Sequence, residues 1–214
     1  MDAPISMRAR FERFPATVKG AFIFRGEDAD PHQVVVSEAR VAALGSGGSS
    51  PLPMPPVTLD VVPHRDLFVP FEFPVTELDP GWYTVVCDLE VDGTASTLDG
   101  GNRFSVAWPR ATVRRGSVKV DERMRLGGGI VTVEQLECSS DSIRIDLIVE
   151  PPSELIVKLT ADGRRLHILD VEFDESTGRG RVTAYPLLRS DEVLTIAVKG
   201  RGRGADASVD VTLR

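Results

Sequence analysis

The sequence predicts a nearly all-β protein made of two tandem β-sandwich domains, on three observations. Apolar residues recur at every second position in many short segments, the spacing that turns one face of a strand toward a core. Turn signals rich in Gly, Pro and Asp separate these segments roughly every ten residues, as is typical of sandwiches and barrels. The 214 residues also divide into halves of about 105, the usual size of a seven-stranded sandwich.

The first half contains six predicted strands, of which residues 82–91 are the clearest. That strand follows the turn signal Asp79-Pro80-Gly81 and ends at Asp92-Gly93, a dipeptide that favours a two-residue hairpin. The predicted strands are residues 17–25, 33–43, 57–62, 67–75, 82–91 and 103–108. Residues 33–43 also fit one face of a helix, so a short helix is the alternative there.

A Gly-, Ser- and Pro-rich stretch, residues 45–56, separates the second and third of these strands. Such a composition is typical of a flexible connection, because Gly restrains the backbone little and Pro interrupts regular hydrogen bonding. The stretch therefore predicts a long loop, which is either a disordered connection or a binding loop.

The second half repeats the alternation in about eight segments. Pro151-Pro152 ends one strand, and Asp162-Gly163 is a second hairpin signal, compatible with a tandem duplication. The predicted strands are residues 117–121, 130–138, 143–149, 155–159, 169–173, 181–187, 194–198 and 209–213. We place the boundary at Trp108-Pro109, where a strand ends and the charge balance changes, giving domains 1–108 and 109–214.

The segment from Leu78 to Leu89 resembles the sixth strand of immunoglobulin and fibronectin type III domains. In those domains a Leu, a Pro-Gly turn and a Tyr precede an alternating strand. The resemblance implies that the chain forms two tandem immunoglobulin-like sandwiches and that the Tyr83 hydroxyl bonds to nearby backbone. The Leu-to-Tyr spacing of five is one shorter than the usual fibronectin version, and Val85 replaces the immunoglobulin cysteine. No specific family is identified, and the fold alone implies no function.

Charge argues against nucleic acid as a partner. Residues 1–108 hold 8 Lys and Arg against 15 Asp and Glu, a net charge of −7, whereas residues 109–214 hold 17 of each. Nucleic-acid phosphates require a basic footprint. We interpret the local basic residues Arg110, Arg114 and Arg115, and the stretch 199–203, as solvated loops.

A membrane partner is not expected either. No run of about 18 apolar residues is present to span a bilayer. A secretory signal is not indicated near Met1, because Arg8, Arg10 and Glu12 interrupt any apolar segment. The expected location is cytoplasmic.

Motifs for catalysis, metals or cofactors are not found. His32, His64 and His167 fall in separate segments, and no Gly-x-Ser-x-Gly elbow accompanies them. The acidic clusters at residues 27–30 and 170–175 are interpreted as solvated faces, with calcium ligation as the alternative. The Gly-rich residues 125–129 predict a turn between strands rather than a phosphate loop. We therefore predict no catalytic residue, no metal site and no cofactor.

The two cysteines, Cys87 and Cys138, match no zinc or redox spacing. We interpret them as small core residues. A reactive thiol or a bridge between the domains is the alternative.

These observations predict a non-enzymatic protein-binding or scaffolding module whose partner is another protein. The candidate partner-binding residues are Trp82 and Trp108, as large aromatic side chains, and Pro70 and Pro74, which mark an edge strand able to accept another strand. The alternatives are a carbohydrate-binding module with an aromatic platform and an unrecognised hydrolase. The oligomeric state is left open.

Overall fold

The computed structural model of the protein describes residues 4–14, 16–45, 49–52, 54–200 and 206–213. Regular structure in these ranges consists of β-strands without an α-helix, which confirms the all-β prediction. Accordingly, no helix in the described part is long and apolar enough to cross a membrane. The chain divides into two compact units, residues 1–106 (unit one) and residues 107–214 (unit two). The boundary predicted at Trp108-Pro109 lies two residues further along the chain.

Eight strands form unit one within the described residues, in two antiparallel sheets. They are β1 (Ile5–Arg13), β2 (Thr17–Gly26), β3 (His32–Ala43), β4 (Ser49–Pro51), β5 (Val57–Val61), β6 (Asp66–Pro74), β7 (Gly81–Val91) and β8 (Thr94–Val106). The first sheet has the order β1-β2-β6; the second has the order β4-β3-β7-β8, with β5 also paired to β3. One apolar cluster takes buried residues from both sheets, so the unit is a two-layer sandwich.

The hydrogen bond implied by the immunoglobulin resemblance is present. The Tyr83 hydroxyl donates to the carbonyl oxygen of Asp79 at 2.7 Å. The strand that carries Tyr83, β7, lies between β3 and β8, which is the place of strand F between strands C and G.

Aromatic rings join the two layers of unit one. Phe71 and Phe73 of β6 are buried, as the alternation predicts. Phe71 contacts Phe22 with ring centroids 4.8 Å apart, and Phe73 contacts Phe104 of the opposite sheet at 5.7 Å. Phe104 in turn stacks on Tyr83 at 5.5 Å. Such pairs add about 0.5–1.5 kcal/mol each beyond the apolar area they bury.

Two strands of unit one differ from expectation. The helical alternative for residues 33–43 is wrong, because Val34 and Val36 are fully buried on one face of β3, which pairs along its length with β7. β1 was not predicted, although Ile5, Met7 and Ala9 alternate with polar residues and turn toward the core.

Part of the segment predicted as a long loop, residues 45–56, is a strand. Ser49–Pro51 pairs with residues 40–42 of β3. Leu52 is buried, and its N–H donates to Ala39 O at 2.7 Å. The buried Leu52 side chain anchors the segment to the core. The Gly-, Ser- and Pro-rich composition of the segment gave no indication of this anchor. Residues 46–48 and Pro53 lie outside the described residues.

In the described residues, unit two is also a two-layer sandwich, because one apolar core takes buried residues from both of its sheets. Its strands are β9 (Gly116–Leu126), β10 (Gly129–Cys138), β11 (Ile143–Glu150), β12 (Leu155–Ala161), β13 (Arg164–Arg165), β14 (Ile168–Asp174), β15 (Arg179–Ala184), β16 (Val193–Gly200) and β17 (Asp206–Thr212). The sheet orders are β14-β15-β11-β10-β9 and β13-β12-β16-β17. Taken from β10 onward, these are the D-E-B-A and C-F-G orders of a constant-type immunoglobulin sandwich, with β9 and β13 added.

Both Asp-Gly hairpin signals form the predicted two-residue turns. Asp92 and Gly93 have φ angles of 50° and 79°, and Asp162 and Gly163 have 45° and 79°. Positive φ at both positions defines the turn whose twist matches the strands of a hairpin. The first turn joins strands F and G of unit one, whereas the second follows strand C of unit two. The two turns are therefore not equivalent and give no support to a tandem duplication.

We expect Tyr83→Phe to lower the free energy of unfolding by about 1 kcal/mol, because it removes one hydroxyl bond and keeps the ring. Chemical denaturation followed by tryptophan fluorescence measures the change. Thr97→Val is the comparison, since its hydroxyl bond to Asp88 lies on the exposed face of the neighbouring strand. Equal effects of the two substitutions would contradict a special role for the tyrosine bond.

Candidate functional site

Pro70 and Pro74 lie on an edge strand, as predicted, but they protect that edge. The N–H of Val75 donates to Ala16 O at 2.9 Å, so the backbone groups of Phe73, two residues earlier, also face β2. The backbone groups of Pro74 and Pro70 therefore face the open side of the sheet. Proline has no N–H, so the edge lacks two of the donors that an added strand needs.

Neither tryptophan is fully exposed. Trp82 is half-buried on β7, on the face opposite Tyr83. Trp108, also half-buried, meets Tyr185 edge-on, with centroids 5.4 Å apart and an angle of 68° between the rings. His167 packs on the same tyrosine at 5.4 Å and 76°. Rings crossed at such angles cannot lie together against the flat face of a sugar.

His32 is held between two carboxylates. Its Nδ1 lies 2.6 Å from Asp92 Oδ2, and its Nε2 lies 2.8 Å from Asp28 Oδ1. Carboxylates only accept hydrogen bonds, so both contacts are satisfied together when each ring nitrogen carries a proton. The hydrogen bonds that His32 donates to Asp92, and then to Asp28, raise the pKa of His32, and His32 lowers the pKa of both carboxyls. The cluster ties the β7–β8 turn to the start of β3, which is a structural role.

The acidic clusters are engaged in local bonds. Asp174 accepts from Ser176 and Thr177 in the turn before β15, and these bonds lower its pKa to about 2. Asp28, in the other cluster, is bonded to His32. Across the described ranges, no three His, Cys, Asp or Glu side chains converge to hold a metal ion.

Both cysteines are free thiols in environments that disfavour the thiolate. Cys87 is fully buried on β7, and burial raises its pKa to about 11. Cys138 is half-buried, and burial raises its pKa as well. A reactive cysteine needs a lowered pKa, so these positions support the interpretation of both as core residues.

A groove of about 370 Å³ opens along one side of unit two, between β12 of one sheet and the edge strand β14 of the other. Apolar side chains from both layers line it: Leu147, Val149, Leu155, Val157, Ile168, Val171, Phe173 and Val182. Ile156 and Val171, at its mouth, expose 47% and 46% of their surface. Exposed apolar surface that continues into a core is a common mark of a contact site.

β12 leaves part of its backbone unpaired beside this groove. Its neighbour β13 pairs only with Thr160 and Ala161. After β13 the chain turns inward, because Leu166 is buried in the core. The next strand, β14, belongs to the other sheet. Consequently the first residues of β12 have no strand on this side within the described chain.

Alternation of the backbone identifies the unpaired groups. Leu159 O accepts the N–H of Leu166 at 2.9 Å, so Leu159 faces the β13 side. Because backbone groups two residues apart face the same way, the N–H and C=O groups of Val157 and Leu155 also face this side. Two donors and two acceptors are thus available next to the apolar groove, at the spacing of a β-ladder.

The rim of the groove carries more acid than base. Its charged lining residues are Glu154, Glu172 and Arg181. Arg181 donates to Asp146 at 2.9 Å, which raises the pKa of the guanidinium and satisfies its charge. The exposed Asp170 lies on β14 beside these residues.

Sequence reasoning missed this groove. Val171 alternates with Leu169 and Phe173 in β14, a pattern that predicts a core position, yet Val171 is half exposed. The available signal was Ile156, an apolar residue on the side of β12 that otherwise carries Lys158 and Thr160. It could not be recognised as significant before β12 was known to be an edge.

Comparison with known proteins does not identify a family. No protein-family model and no curated protein matches the chain. Among solved structures, a conserved domain protein from Bacillus anthracis aligns with a TM-score of 0.38 and 9% identity, over 100% of this chain and 89% of its own.

Two marsupial T cell receptor chains align with TM-scores of 0.28 and 0.27 and identities of 12% and 14%. They cover 97% and 98% of this chain, and 62% and 97% of their own. Such low scores carry no argument. The class of protein, an all-β chain of immunoglobulin-like architecture, is therefore defined by the strand orders and the Tyr83 bond.

We expect His32→Asn to destabilise the protein more at about pH 5.5 than at about pH 8.5. The pKa of His32 is raised in the fold, so its contribution is full below the unfolded value of about 6.5 and is lost as pH rises through the folded value. The pKa values of Asp28 and Asp92 are lowered in the fold, so these two carboxylates add stability above about pH 4. This stability is lost as pH falls through their folded pKa values.

Unfolding free energies at the two pH values measure this difference. His64→Asn is the control, because His64 lies exposed in a turn at φ 56°, a conformation that Asn tolerates. A destabilisation by His32→Asn that is the same at both pH values would show that the imidazole is not protonated in the fold.

Proposed function

We propose that the protein is a non-enzymatic binding module that captures an extended segment of another protein at β12. One observation carries the proposal: the unpaired backbone groups of Leu155 and Val157 lie directly beside an apolar groove. An extended peptide satisfies both features at once, since its backbone bonds to the strand edge while alternate side chains enter the groove. Neither a compact ligand nor a helix would form hydrogen bonds with the unpaired backbone groups of this strand.

The chemistry of the partner follows from the groove. Alternate residues of the segment should be apolar, to meet Val157, Val171 and Phe173 on the groove walls. The residues between them should include Lys or Arg, because Glu172 lies on the rim and Arg181 is already paired with Asp146. The proposed partner is therefore an extended segment of alternating apolar and basic residues.

The other candidates have less support. A carbohydrate platform is disfavoured by the crossed planes of Trp108 and Tyr185. For a hydrolase, His32 is a poor general base, because both of its ring nitrogens lie within hydrogen-bonding distance of carboxylates. Each of these facts supports the binding proposal indirectly.

The proposal is tested with a synthetic peptide of four Val-Lys repeats and with a peptide of the same composition arranged as one Val block and one Lys block. We expect the alternating peptide alone to bind saturably in calorimetry. It should also shift the amide NMR signals of β12 and β14. Absence of saturable binding, or shifts located elsewhere, would contradict the proposed site.

A substitution at the groove mouth gives a second test. Val171→Ser should weaken binding of the alternating peptide about tenfold, because most of the apolar contact of one valine is lost. Ile130→Ser is the matched control, since Ile130 is 38% exposed in the same unit and does not line the groove. Equal losses in the two variants would mean that the peptide does not occupy the groove.

A further inference from the structure

A second feature of unit two is a cleft of about 500 Å³ that is lined by three arginines. Arg114 and Arg115 come from the segment before β9, and Arg189 comes from the segment between β15 and β16. Ser117 and Cys138 complete the wall nearest to them. The sequence alone favoured solvated loops for Arg114 and Arg115, and it gave no indication that Arg189, distant in the chain, lies beside them.

Backbone carbonyls hold two of these side chains in place. Arg114 donates from Nε and Nη2 to Asp191 O at 3.1 and 2.7 Å, and Arg189 donates from Nε to Val113 O at 3.3 Å. The two segments are also joined through their backbones, by the N–H of Arg114 to Leu187 O at 2.9 Å. The guanidinium groups are thus oriented before any ligand arrives, which reduces the entropy lost on binding.

No carboxylate among the residues that the structure describes neutralises the positive charge of the cleft. Within the described residues, none of the three arginines has a carboxylate oxygen within 4.0 Å. The nearest candidates are engaged elsewhere: the buried carboxylate of Asp191 pairs with Arg164 at 2.8 Å, and Glu137 pairs with Arg144 at 3.0 Å. Neutral carbonyl acceptors orient the guanidinium groups without cancelling their charge.

We propose that this cleft binds a phosphate group. Planar guanidinium groups match the oxygens of phosphate in paired hydrogen bonds, and a dianion suits three uncompensated cations better than a single carboxylate does. Ser117 Oγ accepts a bond from Gln135 Nε2 at 2.7 Å, which leaves its own hydrogen for the ligand. The phosphate belongs to a small phosphorylated molecule or to a phosphorylated side chain, since the chemistry recognised is the same.

Titration of the whole protein with inorganic phosphate at low ionic strength, followed by amide NMR, tests the site. We expect saturable shifts at Gly116, Ser117 and Leu188, and weaker binding of acetate. Arg115→Gln and Arg189→Gln should each weaken phosphate binding about tenfold or more, because each removes a charge-assisted hydrogen bond.

Arg110→Gln is the matched control, because Arg110 is exposed in the same segment but does not line the cleft. Its phosphate affinity should stay within about twofold of the unmodified protein, since a distant charge is screened. Arg115 is itself exposed, so Arg115→Gln tests the site without loss of buried structure. Unchanged thermal unfolding of that variant verifies this.

Three outcomes would overturn the proposal: no saturable shifts, acetate binding as tightly as phosphate, or an equal loss of affinity in Arg110→Gln and Arg115→Gln. A phosphoserine peptide, compared with its unphosphorylated form, identifies the source. Tighter binding of the phosphopeptide than of inorganic phosphate would indicate a phosphorylated partner protein, and equal binding would indicate a small phosphorylated molecule.

Discussion

A two-layer sandwich must protect the edge strands of its sheets, and in this protein the protection differs from edge to edge. A two-layer sandwich buries its alternating apolar residues readily, but each sheet ends in strands with unpaired backbone groups, which invite pairing with other chains. On β6 the edge is protected by Pro70 and Pro74. On β14 it is interrupted by a bulge near Leu169 and carries Asp170 and Glu172. The first residues of β12 have no bulge and no proline, and beside them the two layers are open to solvent.

That difference connects the fold to the proposed function. β13 ends after two residues because Leu166 enters the core, and the chain then continues in the other layer. The early end of β13 creates both the unpaired backbone of Leu155 and Val157 and the gap that exposes Val171. The early end of β13 therefore produces the two properties that strand addition needs, which are unpaired backbone groups and an apolar groove.

Local patterns in the sequence were sufficient for most of the strands and for several details. The resemblance of the segment around Tyr83 to immunoglobulin domains implied its bond to backbone, the Asp-Gly dipeptides predicted two hairpins, and Pro70 predicted an edge strand. Each depends on residues close together in the chain. β1 was missed even though Ile5, Met7 and Ala9 alternate, because the many charges between them were considered only as evidence against a signal peptide.

The two binding features could not be predicted in the same way. The groove depends on which strands become edges, and the arginine cleft depends on Arg189 meeting Arg114, so both are properties of long-range pairing rather than of local sequence. Hydrogen exchange at the amides of Val157 and Lys158 in the free protein tests directly whether β12 is unpaired on the side of the groove. We predict fast exchange for Val157, despite its buried side chain, and slow exchange for Lys158, whose backbone faces β16. Equal protection of the two amides would show that the edge of β12 is already paired and would contradict the account.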